Sequence, residues 1–289
     1  MSIKKNLISN LYFPIKIFRS SKSFLTSEEE TRLRVLLFHD IPSNSIDTFK
    51  RKMEFLSKYW NFITIDEFED YLDGKNNLVG NNLLLSFDDG FYSNRRVVKE
   101  VLNPMGIKAL FFIVYEFAKS ETHKEQKSFI KEYLYPDWRG HSLPENFDEM
   151  KSLGFEDLNY LIQSGHTIGC HSATHKDLSR QYPEELLNKE IIESANLLEK
   201  TLDTKINHFS IPFGNVLFFN QDSLKIARSR FKYIHTGMRG DNAQSLNPLA
   251  IRRDTIAVDD SLKLMGAFLE GVADFRYKKD FEIYESWLI

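Results

Sequence analysis

Short apolar runs that each end in a polar cluster recur along this chain, and helical segments separate them. Leu33 to Phe38 ends in His39-Asp40, and Leu83 to Phe87 ends in Asp88-Asp89-Gly90. Thr167 to Cys170 ends in His171-Ser172-Ala173-Thr174-His175, His208 to Ile211 ends in Pro212-Phe213-Gly214, and Tyr233-Ile234 ends in His235. Runs of this length read as strands buried on both faces, and Ala109 to Tyr115 reads as another. Between them, Ile46 to Trp60 places Phe49, Met53, Leu56 and Trp60 three or four apart, the spacing of a helix. Phe155 to Gln163 and the segment from Pro183-Glu184-Glu185 to about Thr201 follow the same period, and a shorter helix falls near Asp222 to Arg230. Strand alternating with helix predicts a parallel sheet under covering helices, and at 289 residues a closed or nearly closed barrel is the leading form. Glu116 to Met150, polar and broken by Pro136, Gly140 and Pro144, is expected to be an irregular loop.

Composition removes several classes. Apolar residues make up 42% and charged residues 27%, so disordered, collagen-like and coiled-coil chains are excluded. A net charge of −3 gives no reason to expect a nucleic-acid partner. The single cysteine, Cys170, excludes an internal disulfide and a cysteine-rich zinc site. No apolar run is long enough to span a membrane. From Met1 to Ser27 there is no acidic residue, whereas Lys4, Lys5, Lys16, Arg19 and Lys22 alternate with apolar and aromatic residues. Pro14, Lys16 and Arg19 interrupt what a secretory signal would need, so the segment is expected to be retained, either packed on its own domain or lying on an anionic membrane surface. The expected localisation is cytoplasmic, with membrane-peripheral contact through this arm.

In barrels of parallel strands the working face lies at the carboxyl ends, which is where the unusual polar residues fall. Two adjacent carboxylates ending a buried strand are costly unless a cation or hydrogen bonds compensate them. Two imidazoles four apart can converge on one metal, and one carboxylate would complete a set of two histidines and one aspartate. The second aspartate, unliganded, could take a proton from water that the metal has acidified to a pKa of roughly 7. Each piece has a plainer reading when it stands alone. Asp88-Asp89-Gly90 can be a turn or helix cap, the histidine pair incidental, Pro212-Phe213-Gly214 a turn, and His39 and His235 packed core residues.

Together the motifs closely resemble the polysaccharide deacetylase family, the carbohydrate esterases that share the NodB-homology fold. The family's Thr/Ser-Phe-Asp-Asp-Gly stands here as Ser86-Phe87-Asp88-Asp89-Gly90, and its His-Ser/Thr-x-x-His as His171-Ser172-Ala173-Thr174-His175. The resemblance implies Asp88 as general base and Asp89, His171 and His175 as metal ligands, with zinc the leading divalent ion and Co2+, Ni2+ or Fe2+ as alternatives. The third motif, Arg-x-Pro-Tyr/Phe-Gly, reads Ser210-Ile211-Pro212-Phe213-Gly214, without its arginine. In the family that arginine pairs with the base, and Arg252 or Arg253 could substitute from the next strand. Pro212, Phe213 and Arg253 are expected around the oxyanion and substrate, the Phe213 N–H helping to hold the oxyanion. The family's Leu-x-His, source of the general acid, has only a loose match in Tyr233-Ile234-His235, so His39, in a Tyr-His-Asp-like turn, is a second candidate. Asp137-Trp138 resembles part of the fourth motif but precedes the second in the chain, so it is not carried over.

The resemblance thus implies a distorted (β/α)7-like barrel over 31–275, preceded by a basic arm over 1–30 and followed by a tail over 276–289. It implies a metal-dependent N-deacylase, foremost an N-deacetylase, acting on an amino sugar of a glycan or of a lipid-linked or nucleotide-linked precursor during surface polysaccharide assembly. An N-deformylase, a non-catalytic glycan-binding relative and an unrelated metal hydrolase are the alternatives. The absence of a basic phosphate-cradling loop weighs against phosphate as substrate.

Overall fold

The computed structural model describes residues 3–17, 31–140, 142–243 and 247–289. Its strands are β1 (Arg32–Phe38), β2 (Asn61–Phe62), β3 (Asn81–Phe87), β4 (Ala109–Ile113), β5 (Thr167–Cys170), β6 (His208–Ser210), β7 (Tyr233–His235) and β8 (Asp254–Thr255). They form one parallel sheet in the order β7-β6-β5-β4-β3-β1-β8, with β2 beside the N-terminal half of β3. The sheet curls until its edges meet. Ile251 donates its N–H to Ile234 at 2.9 Å and accepts from Thr236 at 2.8 Å, on the β7 side. A few residues later β8 pairs with β1, and Ile256 donates to Leu37 at 3.0 Å. Residues 248–256 therefore close the distorted (β/α) barrel.

Period-two alternation explains why these strands read as continuous apolar runs. Leu33, Val35, Leu84, Leu110, Phe112 and Tyr233 fill one buried cluster together with Ile65 and Phe68 of the helix Ile65–Leu72. Their neighbours Leu36, Phe38, Leu85, Phe87, Phe111 and Ile234 join the larger cluster beneath the surrounding helices. Both faces of the sheet are thus dry, as a parallel sheet requires. Closure also carries charge inward. Buried Arg34 on β1 binds Asp254 of β8 at 2.7 and 2.8 Å and Asp274 at 2.7 Å, a network that satisfies all three groups in a low-dielectric setting.

Several elements depart from expectation. The strand expected over Ala109 to Tyr115 stops at Ile113, because Tyr115 opens the helix Tyr115–Lys119. The segment expected to be an irregular loop contains the helix His123–Phe129, which continues as a π turn, Ile130–Leu134. A Thr122/Glu125 capping box starts this helix, and Ile130 and Leu134 pack with Phe91, Val114, Phe117 and Met150. The expected tail over 276–289 holds the helix Lys278–Ser286, whose Phe281 and Tyr284 enter the main core. Of the expected arm, residues 3–17 are helical as Ile3–Asn10 and again over 12–17, while Arg19 and Lys22 lie outside the described residues. This segment packs on the helix Leu262–Leu269, where Tyr12 lies so close to Gly266 that a Cβ there would come within 2.5 Å of the ring. Among the described residues, no helix is long and apolar enough to cross a membrane.

Candidate metal centre and active site

Strained turns set the functional side chains. Asp88 still follows the ladder, donating its N–H to Phe38 at 3.0 Å, but Asp89 turns to φ 72° and Gly90 to φ 82°. Consecutive carboxylates are thereby sent to different partners. Ser172 (φ 64°), His175 (φ 58°) and Phe213 (φ 63°) are also left-handed, so four of the five described non-glycine residues with positive φ lie at this site. Such conformations persist only where the surroundings hold them. Around the histidine turn, Glu190 supplies the hold. Its carboxylate accepts from the Thr174 N–H at 2.9 Å and the Thr174 hydroxyl at 2.7 Å, and its main-chain carbonyl accepts from Ala173 at 2.8 Å. Glu190 lies in a π turn, Lys189–Glu193, inside the long helix from Glu184 to Leu202. A π turn disturbs the helical ladder and frees carbonyls for partners outside the helix.

Asp89, His171 and His175 converge as the resemblance implied. The Nε2 atoms of His171 and His175 each stand 3.6 Å from Asp89 Oδ1, and one ligand atom from each residue falls within 4.8 Å of the others. Each imidazole places its other nitrogen on a main-chain carbonyl: His171 Nδ1 on Ser210 at 2.8 Å, and His175 Nδ1 on Tyr133 at 3.2 Å. A carbonyl only accepts, so both Nδ1 atoms carry the proton and both Nε2 lone pairs face Asp89. Burial keeps the rings neutral, lowering His171 to about 4 and His175 well below its ordinary value. Asp89 Oδ1 is itself buried without a donor. Burial, and after it the charge of Asp88, push its carboxyl well above the usual range. Two imidazole nitrogens and a carboxylate oxygen around an orphaned buried acceptor fit a divalent cation of the zinc type.

Asp88 has a different surrounding. Arg253 grips it bidentately, Nη1 to Oδ1 at 2.7 Å and Nη2 to Oδ2 at 2.8 Å, and the Ser210 hydroxyl donates to Oδ2 at 3.2 Å. Burial alone would raise this carboxyl, but the Arg253 guanidinium holds it well below the usual range. Arg253 Nη2 also donates to Ser210 Oγ at 2.6 Å. The side chain expected near the substrate therefore occupies the role of the missing motif arginine, and Ser210, at that motif position, leaves the space for it.

A cavity of about 890 Å³ opens above these groups, lined by His39, Asp88, Asp89, His171, His175, Phe213 and Arg253, with Tyr135, Arg139 and Glu145 from the 116–150 segment. Phe213 stacks edge-on against His175 at 4.2 Å and lies under the Arg139 guanidinium at 3.7 Å. Pro212 is buried and does not line the cavity. It is the second residue of the turn closed by Gly214 N–H on Ile211 at 2.9 Å, and sets up the left-handed Phe213. Gly214 is required here, since a Cβ would come within 2.6 Å of Gly237 Cα.

His39 lies at the cavity, whereas His235 does not. The side chain of His235 packs between Phe68 and Phe112 with its Nε2 2.9 Å from His208 Nδ1, and His208 Nε2 stands 2.8 Å from Glu69. β7 pairs His235 with Ser210, yet the His235 side chain is fully buried among Phe68, Phe112 and His208 instead of lining the cavity, so His235 is not placed to act as general acid. Sequence reasoning also missed Glu190, Tyr135 and Arg139. For Glu190 no local signal existed, because its partners lie on another element.

Comparison with known proteins gives the same direction. The sequence model of the polysaccharide deacetylase family matches residues 75–230. A curated Bacillus subtilis (strain 168) protein, provisionally named polysaccharide deacetylase YxkH, is 23% identical over 259 residues, covering 87% of this chain and 81% of its own length. Among solved structures, IcaB from Ammonifex degensii superposes with a TM-score of 0.65 at 22% identity, covering 84% of this chain and 98% of that one. A de-N-acetylase from Aggregatibacter actinomycetemcomitans gives 0.63 at 15% identity, with 82% and 100% coverage.

Proposed function

Because the chain belongs to the polysaccharide deacetylase family, hydrolases of an amide C–N bond, we propose that it is a divalent-metal-dependent N-deacetylase of amino-sugar units in a surface glycan or its lipid-linked or nucleotide-linked precursor. One observation carries this reading: an Asp89, His171 and His175 triad stands beside an Asp88 that Arg253, not the triad, has claimed. The similarity to a de-N-acetylase supports the acetyl group. The arginine found at Asp88 removes the main ground for a non-catalytic relative.

Asp89, His171 and His175 would hold the cation, zinc by donor type. When bound, the ion supplies Lewis acidity, polarising the amide carbonyl and acidifying water. Asp88, ionised throughout the neutral range, accepts the proton as the water oxygen bonds to the carbonyl carbon. Phe213 at the cavity wall provides an aromatic face for the sugar ring, and its main-chain N–H is assigned to the oxyanion. The C–N bond then breaks, and the amine leaves with the proton that Asp88 took from water, which His39, on the same cavity wall, is placed to relay, so that both side chains return to their starting states. Burial lowers His39, with the Asp88 charge acting against that fall, so this ring passes a proton on rather than storing it. Acetate and a free amino sugar result.

The test is acetate release from N-acetylglucosamine oligomers, with the N-formyl analogue alongside. Release that requires a divalent ion and disappears in Asp88→Asn supports the reading. Release of formate alone overturns the acetyl assignment, and unchanged turnover by Asp88→Asn overturns the mechanism.

A further inference from the structure

The first helical segment presents an unusual solvent face. Leu7, Leu11 and Pro14 follow at helical spacing, with Phe13 and Ile17 flanking them, and all are exposed: Leu7 by 64%, Leu11 by 46%, Phe13 by 52% and Ile17 by 65%. The opposite side of the same segment is spent on the protein, with Ser9 and Tyr12 buried. Large apolar side chains gathered on one exposed face are rare on a soluble surface and mark a contact. Basic groups frame this face. Lys263 lies 5.5 Å from the Phe13 ring, and Lys16 lies 3.2 Å from the ring of exposed Tyr59. The stretch from Met1 to Ser27 contains five basic residues and no acidic one, in a chain whose net charge is −3. Exposed apolar residues edged by Lys16 and Lys263, on a segment whose own sequence has no acidic residue, complement an anionic lipid surface better than another protein of this charge.

The face is fixed relative to the cavity. Lys5 pairs with Asp260 at 2.6 Å, and the other oxygen of Asp260 accepts from Ala257 at 3.0 Å. Buried Lys52 donates to the Asp260 carbonyl from below. Ile256, Ala257, Val258 and Asp259 form one wall of the cavity, so the helix is clamped to the rim where substrate must enter.

We infer that the Leu7, Leu11, Phe13 and Ile17 face seats the protein on an anionic bilayer surface and holds the cavity mouth beside it. The glycan it receives is accordingly one presented at a lipid surface, which rests on the deacetylase reading above; lipid binding itself does not and is measured without substrate.

Co-sedimentation of the full chain with vesicles tests this. Vesicles of phosphatidylcholine and phosphatidylglycerol at about 2:1 should retain the protein at least ~10-fold better than phosphatidylcholine alone, with retention falling as salt screens the charges. The double variant Leu7→Glu/Leu11→Glu should lose at least ~10-fold of that retention while its melting temperature and its turnover of a soluble oligomer stay unchanged. If the double variant melts early, Ile17→Glu alone carries the comparison. No retention of the wild-type chain, or equal retention on neutral and anionic vesicles, overturns the proposal. So does a solution dimer that Leu11→Glu dissociates, because a second copy would then be the occupant.

Discussion

Asp88 and Asp89 share a peptide bond and a common neighbour, His171 Nε2 at 3.6 Å from each, but differ in donors: Arg253 and Ser210 donate to the first, while the second keeps a buried oxygen with no donor and the Nε2 atoms of His171 and His175 beside it. The left-handed backbone at Asp89 separates them. A base must stay free to accept a proton, and a ligand must be committed. In the proposed mechanism Asp88 and Asp89 divide these two parts.

Neutralising the two should therefore give different failures. Asp88→Asn should lower turnover by ~10²–10⁴-fold, the range expected for a lost general base, with zinc still bound at full occupancy. Asp89→Ala should lose both zinc and turnover, and a chelator should reproduce that loss reversibly in the wild-type chain. Metal content by elemental analysis beside a turnover assay decides between them. Zinc retained by Asp89→Ala at wild-type affinity would contradict the ligand assignment.

Arg253 should show itself in the pH profile. It opposes the rise that burial would impose on Asp88, so Arg253→Gln should raise that carboxyl and protonate it at pH values where the wild type is ionised. The acidic limb of kcat/KM should move upward in pH, and activity below neutrality should suffer most. Arg253→Lys should fall between, since a lysine keeps the charge but not the bidentate grip. An acidic limb unmoved in both variants would remove Arg253 from the tuning of the base.

Buried histidine makes the fold sensitive to mild acid at a place remote from the site. His166 accepts from the Ala109 N–H at 3.1 Å, contacts Asn103 at 3.2 Å, and is lowered from 6.5 to about 4, chiefly by burial. A histidine with a depressed folded value binds fewer protons than the unfolded chain below pH 6.5, so stability falls as pH drops from there towards 4. The full interval corresponds to about 3 kcal/mol. Urea titrations at several pH values should show this slope, flattened in His166→Asn.

Glu190 should affect metal affinity without touching metal. Glu190→Ala leaves the Thr174 N–H unpaired beneath the strained histidine turn, at a cost of about 1–3 kcal/mol in stability. Zinc affinity measured by competition with a chromophoric chelator should weaken by ~10–100-fold, as for other groups that orient ligands. A melting temperature that falls with affinity unchanged would confine Glu190 to a structural role.

Legibility in the sequence followed the range of the forces involved. The helix Phe155–Gln163 and strands β5 and β7 fall where pattern reading placed them, because buried strands and amphipathic helices are dictated by neighbours one to four residues away. The Asp89, His171 and His175 cluster was also expected, since strand ends in a parallel barrel share one face. Missed features depend on partners far along the chain. His235 is buried away from the cavity by Phe68, Phe112 and His208, all distant in sequence, and the partner of Asp88 could be narrowed only to Arg252 or Arg253. For the helix His123–Phe129 a local signal did exist in the Thr122/Glu125 box, but proline and glycine further on outweighed it.

Arg253 sits on the last stave to be laid, the stretch from 248 to 256 that joins the two open edges of the sheet. A chain cut before this stretch would hold Asp88, Asp89, His171 and His175, yet not the guanidinium that grips Asp88. Readiness for hydrolysis in this sense waits on the last strand, although the helices Leu262–Leu269 and Lys278–Ser286 are still to follow it.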